Sequence, residues 1–255
     1  MKVTLLGTGT STGVPQIGCT CPVCTSVDPR DNRLRCSVWI ETDERKTILL
    51  DCGPDFRQQV LREHLYQQID AVLITHEHYD HVGGLDDLRP FSVFGDIPVY
   101  ANDITAKHLC EHMPYCFVEK SYPGFPRIYL NVANPMKPFK IGDTTVTPLS
   151  IMHGKLPILG YLIGEKFAYI TDAKTIPEET LSALRHIDTL IINALRPLPH
   201  PTHLSIGETL DIISAIKPRR AYLTHMCHHA GRHAEMDSQL PDSVHFAYDG
   251  LKLEI

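Results

Sequence analysis

His76-Glu77-His78-Tyr79-Asp80-His81 follows the apolar run Ala71-Val72-Leu73-Ile74 and precedes Gly83-Gly84. A short apolar run closed by turn residues reads as a buried strand. Four metal-binding side chains therefore arrive within six residues, directly at a strand end. The spacing can send His76 and His78 to one ion while the following turn aims Asp80 and His81 at another. Two ions held a few ångströms apart can share a hydroxide and clamp a scissile phosphoryl or carbonyl group. Solvated loop histidines alone would call for neither the strand before the motif nor the glycines after it.

Further along, single ligand-type residues end other apolar strands. Thr144 to Met152 runs into His153, Phe167 to Thr171 into Asp172, and Ala221 to Thr224 into His225. A lone strand-end histidine is more often a hydrogen-bonded rim residue. Three such ends plus the cluster point to one edge of a sheet, where open α/β folds place their chemistry. The candidates are then His76, His78, Asp80, His81, His153, Asp172 and His225, about the number a two-ion site needs when one carboxylate bridges.

In that order these residues resemble the ligands of the metallo-β-lactamase-fold hydrolases, and the likeness runs from Gly7-Thr8-Gly9 to Tyr248-Asp249-Gly250. The resemblance implies an α/β protein built as a four-layer α/β/β/α sandwich. It assigns His76, His78 and His153 to a first divalent ion, Zn or Mn, and Asp80, His81 and His225 to a second, with Asp172 bridging. Asp51, in Leu49-Leu50-Asp51-Cys52-Gly53, matches the family's early strand-end aspartate, which buttresses the site. Within the superfamily the chain is similar to the branch of the bacterial phosphoribosyl 1,2-cyclic phosphate phosphodiesterase of phosphonate degradation. Gly18-Cys19-Thr20-Cys21-Pro22-Val23-Cys24 resembles the structural zinc knuckle of that branch, whose fourth ligand would be His228. A Cys₃His set is closed and therefore structural, and a disulfide within CxCxxC would be cramped. Cys227 and His229 lie close enough in sequence to compete for the fourth position.

The whole chain, residues 1–255, is expected to form a single domain of this fold with the knuckle near residues 19–24. It carries 43% hydrophobic and 21% charged residues, enough to bury a sizeable core. A net charge of −6 offers no broad cationic field for nucleic acid. No apolar run approaches the length of a membrane span, and Met1 to Gly7 reads as a first strand rather than a signal peptide. A cytoplasmic protein without a membrane partner is expected, and a homodimer is left open.

Strands are expected at residues 2–8, 37–42, 46–51, 71–75, 98–101, 144–152, 159–164, 166–171, 189–194, 220–224 and 245–255, with hairpins around Asp43-Glu44-Arg45 and Glu165-Lys166. Helices are expected at 54–65, 83–91, 103–112, 177–186 and 206–216. Phe56, Val60, Leu61 and Leu65 would form the apolar stripe of the first. Ser205-x-x-Glu208 is a capping-box signature, and Thr175-x-x-Glu178, with Pro177 in the first turn, marks another helix start. Residues 114–143, rich in Pro, Tyr and Phe, read as an irregular connection packed against the sandwich, ahead of the alternative of a substrate-covering lid.

The expected chemistry is metal-dependent hydrolysis of a small phosphodiester of a sugar or nucleotide, cyclic esters included. By resemblance His203, just before a helix N-terminus, serves as general acid; a surface histidine capping that helix is the plainer reading. Asp80 could also orient the nucleophile. Lys155, Arg196 and Arg89 are cations that could reach a phosphate, and the sequence does not choose among them. A tRNA 3′-processing endonuclease has the same core but needs an RNA-gripping arm, which this chain does not obviously carry. Lactone and thioester hydrolysis use the same ligands. A non-enzymatic reading is a metal- or cofactor-binding protein of the type found in quinone-cofactor biosynthesis.

Overall fold

In the computed structural model, residues 1–117 and 126–255 are described. The first sheet contains β1 (Lys2–Gly7), β2 (Ser37–Glu41), β3 (Thr47–Leu50), β4 (Ala71–Leu73), β5 (Ile97–Ala101), β6 (Ile128–Val132) and β14 (Lys252–Glu254), in the order β14-β1-β2-β3-β4-β5-β6. The second contains β7 (Phe139–Ile141), β8 (Thr144–His153), β9 (Leu156–Ile163), β10 (Phe167–Ile170), β11 (Thr189–Asn193), β12 (Arg220–Thr224) and β13 (Val244–Phe246), in the order β13-β12-β11-β10-β9-β8-β7. Each sheet begins antiparallel and turns parallel midway, at β3/β4 and at β10/β11. The topology places the site: β8, β10 and β12 run in one direction, so their C-terminal ends share an edge.

Side-chain alternation creates the layers. Ile48 and Leu50 of β3 join Val3 and Val38 against Tyr161, Ile163 and Tyr169 of the second sheet, forming the core between the sheets. Leu49, pointing the other way, packs with Trp39, Val72 and Val99 against Phe56 of α1 (Phe56–Glu63) and, beyond α2 (Tyr79–Val82), Leu109 of α3 (Asp103–His112). On the far side, Ala168, Ile170, Leu190 and Ile192 meet Leu184, which follows α4 (Glu178–Ala183), and Ile206, Ile213 and Ile216 of α5 (Ile206–Ile216). The short α6 (His233–Asp237) packs beside β13. The arrangement is the expected four-layer α/β/β/α sandwich.

Several elements differ from expectation. The helix expected at 83–91 is a 3₁₀ run, Leu85–Phe94, containing Pro90, which lacks the N–H an α-helix needs. In α1 the buried residues are Phe56, Gln59 and Val60, while Leu61 is 57% exposed; five positions from Phe56 rotate it roughly 140° off the stripe. α4 is shorter than expected, with Pro177 itself at the N-cap and no side-chain cap bond. Thr175 instead pairs through its backbone with Met152. The capping box at Ser205 and Glu208 is formed in both directions. The run 245–255 divides between sheets, β13 ending the second and β14 edging the first. Within 114–143, residues 118–125, including Tyr122, Pro123 and Phe125, lie outside the described residues; the rest holds β6 and β7 rather than an irregular connection. Among the described residues, no helix is long and apolar enough to cross a membrane.

Candidate metal centre

The loop after β4 is clamped to the end of β3. Cys52 N–H donates to the His81 carbonyl and Gly84 N–H to the Cys52 carbonyl, each at 2.8 Å. A Cβ on Gly53 would lie 2.1 Å from the Asp80 carbonyl oxygen, and one on Gly84 2.1 Å from the Gly53 carbonyl oxygen. Only glycine permits these approaches, so the two backbones hold Asp80 and His81 in register with β3. Asp51, Asp172 and His225 all adopt φ of 55–56°, the left-handed region. Asp and His tolerate it better than most non-glycine residues, at a cost of about 1 kcal/mol or more each.

Four overlapping groups of donor atoms result at this edge, each with its members within 4.8 Å of one another: His76, His78 and His153; Asp80, His81 and His225; Asp172 with His76 and His81; and Asp172 with His153 and His203. All seven strand-end candidates thus meet at one place. Asp172 lies between the first two groups. Its Oδ2 is 3.3 Å from His81 Nε2 and its Oδ1 3.2 Å from His225 Nε2.

Neighbouring groups orient several of the rings. His81 Nδ1 donates to Asp51 Oδ2 at 2.8 Å, and Asp51 is itself held by the Thr75 N–H and hydroxyl at 2.8 and 3.0 Å. Asp51 therefore stands behind the donor groups, where a carboxylate fixes a ligand's tautomer and raises its basicity. His153 Nδ1 donates to the Thr202 carbonyl at 2.8 Å, leaving Nε2 for the site. His76 Nδ1 contacts the Thr75 hydroxyl at 3.0 Å, with Nε2 3.0 Å from His78 Nδ1.

Nε2 of His81 and both ring nitrogens of His225 are buried without a hydrogen-bond partner. Buried polar atoms are rarely left so. The two Nε2 atoms approach the carboxylates of Asp80 and Asp172 without hydrogen-bond alignment, as ligands converging on a common cation do. With imidazoles and carboxylates as donors, the set fits divalent ions such as Zn or Mn.

The electrostatics agree. Burial would raise the carboxyls of Asp80 and Asp172, but the histidine charges around them hold both well below the usual carboxylate range. Burial opposes protonation of His81, yet Asp80, Asp51 and Asp172 push its pKa well above 6.5. The three carboxylates thus favour positive charge at His81, a charge that a bound metal would supply in place of a proton. Burial lowers His76 and His78, keeping those rings neutral and available as ligands.

His203 lies against the same carboxylate, with Nε2 3.0 Å from Asp172 Oδ1. Its Nδ1 is 3.0 Å from the Thr202 hydroxyl and 3.1 Å from His200 Nδ1. Burial pulls its pKa down to about 4 against the pull of Asp172. His203 is therefore a half-buried site residue, and Ser205, not His203, caps α5. Thr202 joins this ring to His153, touching one with its hydroxyl and the other with its carbonyl. Sequence reasoning missed Thr202, His200 and Thr75; a polar residue beside a ligand is too common a pattern to stand out. Of the three cations considered, Arg89 pairs with Asp86, Arg196 donates to the carbonyls of Leu198 and Pro199, and Lys155 is exposed in the β8–β9 turn.

The knuckle forms a separate group. Cys19, Cys21 and Cys24 gather with His228, rather than with Cys227 or His229, and all are unbridged. His228 Nδ1 lies 3.1 Å from Cys19 Sγ and 3.4 Å from Cys21 Sγ. The backbone N–H of Cys24 donates to Cys21 Sγ and, with His228, brings that thiol to about 6 despite burial, whereas burial and the neighbouring sulfurs push Cys24 up to about 11. Three clustered thiols cannot all ionise without a cation, and Cys₃His with backbone N–H···S bonds suits zinc. Buried Arg33 ties the knuckle side to the His228 loop, donating to the carbonyls of Cys227 and Gly231.

Comparison with known proteins agrees with this architecture. The model for the beta-lactamase superfamily domain matches residues 46–226. An octanoyltransferase of Porphyromonas gingivalis is 47% identical over 253 residues, which is 99% of this chain and 51% of that protein. The chain thus spans about half the length of this relative. Coenzyme PQQ synthesis protein B of Methylorubrum extorquens is 28% identical over 227 residues, 76% of this chain and 72% of its own. Among solved structures, a diphosphatase from the PhnP family superposes with a TM-score of 0.91 at 39% identity, covering 99% of this chain and 96% of that one.

Proposed function

We propose that this chain, which belongs to the beta-lactamase superfamily, is a metal-dependent phosphodiesterase acting on small phosphodiesters of a sugar or nucleotide, cyclic esters included. The observation that carries the reading is Asp172, whose carboxylate groups with His76 and His153 of the first donor set and with His81 of the second, while His203 Nε2 lies 3.0 Å from its Oδ1. Such a carboxylate can join two ion sites and still lie beside a proton donor.

His76, His78 and His153 would hold one ion and Asp80, His81 and His225 the other, with Asp172 shared and zinc in the Cys19, Cys21, Cys24 and His228 knuckle. Ions in such a site make water a competent nucleophile near neutral pH and offset charge on the phosphoryl oxygens. The remaining steps belong to the side chains. Asp80 orients the attacking water. His203, set between the Thr202 hydroxyl and the Asp172 carboxylate, would deliver a proton to the departing alkoxide from its imidazolium form, which Asp172 favours, and return to neutral imidazole. Asp51 keeps His81 in the tautomer that presents Nε2.

The PhnP-family diphosphatase supports a phosphoryl substrate, because it resembles this chain over nearly its whole length. The octanoyltransferase name belongs to a protein about half of which this chain matches, so it carries less weight for this chain. The test is hydrolysis of bis(p-nitrophenyl) phosphate and of p-nitrophenyl acetate, before and after chelation and after restoring Zn or Mn. Metal-dependent turnover of the phosphodiester is the expected result. Turnover of the acyl ester alone, by protein shown to hold its metals, would overturn the reading.

A further inference from the structure

Beside His78, between α2 and α3, lies an open cavity of about 590 Å³. That size falls within the roughly 300–1,000 Å³ of small-molecule pockets. His78 belongs both to a metal-binding group and to the cavity wall. The cavity therefore adjoins the centre, within reach of an arm attached to a phosphoryl group there.

The walls define what that arm is. Tyr79 is 70% exposed, yet its ring is set against Gly83, where a Cβ would lie 2.7 Å from the ring carbons. Opposite, on α3, the rings of His108 and His112 stack at 3.8 Å and 15°, beside Leu109 and Met113. Aromatic rings in two walls, with the apolar side chains of Val82, Leu109 and Met113 beside them, suit a planar ring. The charged residues lining the cavity, among the described residues, are Glu77 and Asp86. Glu77 is anchored by the Thr105 hydroxyl at 2.9 Å, and Asp86 pairs with Arg89. Carboxylates repel a second phosphate and accept hydrogen bonds from ring and amino N–H groups.

We propose that this cavity binds the base of a nucleoside phosphodiester, so that the enzyme prefers substrates bearing a nucleobase to sugar phosphates that lack one. This inference rests on the phosphodiesterase reading.

The test uses the metal-loaded protein with methyl p-nitrophenyl phosphate as reporter, whose methyl arm is too small to fill the cavity. Adenosine 5′-monophosphate and ribose 5-phosphate are compared as inhibitors, since they differ by the base alone. The expected result is inhibition by the nucleotide at about tenfold lower concentration, the equivalent of one base–aromatic stack of roughly 1.4 kcal/mol. In Tyr79→Ala and in His108→Ala this ratio falls toward one. Equal inhibition by the two ligands, or a ratio indifferent to both substitutions, would overturn the proposal. Calorimetric titration of the same ligands reads binding without turnover. A dead reporter with selective nucleotide binding would therefore reject the phosphodiesterase reading and keep the nucleotide site. Ligands bound equally would reject the site whatever the reporter does.

Discussion

The two metal-binding groups are built in opposite ways. The knuckle draws three of its four donors from six consecutive residues, Cys19 to Cys24, and only His228 comes from far along the chain. Its donors are half-buried, and backbone N–H groups of Gln16 and Cys24 support its sulfurs. The centre at the sheet edge draws its donors from the ends of β4, β8, β10 and β12, buries most of them, and backs them with side chains such as Asp51 and Thr75 and with the Thr202 carbonyl. A locally built, closed site suits a fastening between the N-terminal loop and the loop after β12. A site assembled across two sheets, with orphaned nitrogens and a further histidine, His203, against its shared carboxylate, suits chemistry.

If that contrast is right, Asp172→Ala has the largest effect. Both edge groups lose their common carboxylate, and turnover should fall by about 1,000-fold or more. Metal analysis should show active-site ions lost while the knuckle keeps its zinc; rates near wild type would dispose of the two-ion reading. Asp51→Asn probes the supporting layer. It keeps the shape but removes the charge behind His81, and losses of second-layer partners typically cost about 10–100-fold in metal affinity or activity. Competition with a chromogenic chelator measures this, and the knuckle serves as the internal control. Cys21→Ser reverses the pattern, with one zinc lost, a lower Tm and turnover changed only a few-fold. Unchanged zinc content in this variant would falsify the fastening role.

Asp172→Ala and Asp51→Asn also mark how much was legible in advance. Asp172 stands at the end of an apolar run, a signal any reading of the chain can find, and the same is true of His76 to His81, His153 and His225. The role of Asp51 came from resemblance, because nothing local in Leu49 to Gly53 announces a bond to a ring thirty residues away. Thr202 and His200 went unseen for the same reason. Helix α5 was legible through Ser205 and Glu208, whose capping box is a four-residue event. β6 and β7 were missed because proline and aromatic residues masked the alternation of their short runs. The final run, 245–255, read as one strand because apolar patterning does not say which sheet a residue joins.

What the sequence determined by itself was therefore local. It specified strand ends carrying ligands, glycines where two backbones had to touch, a knuckle of cysteines and one helix cap, since each depends on neighbours a few positions apart. What the tertiary structure decided was convergence. The matching direction of β8, β10 and β12 carries His153, Asp172 and His225 to one edge, and packing of the two sheets across Tyr161 and Tyr169 brings them to the loop after β4. Ring tautomers, the orphaned nitrogens of His81 and His225, and the cavity beside His78 exist only after that packing. They depend on distances between residues far apart in the chain, which no periodicity in the sequence encodes.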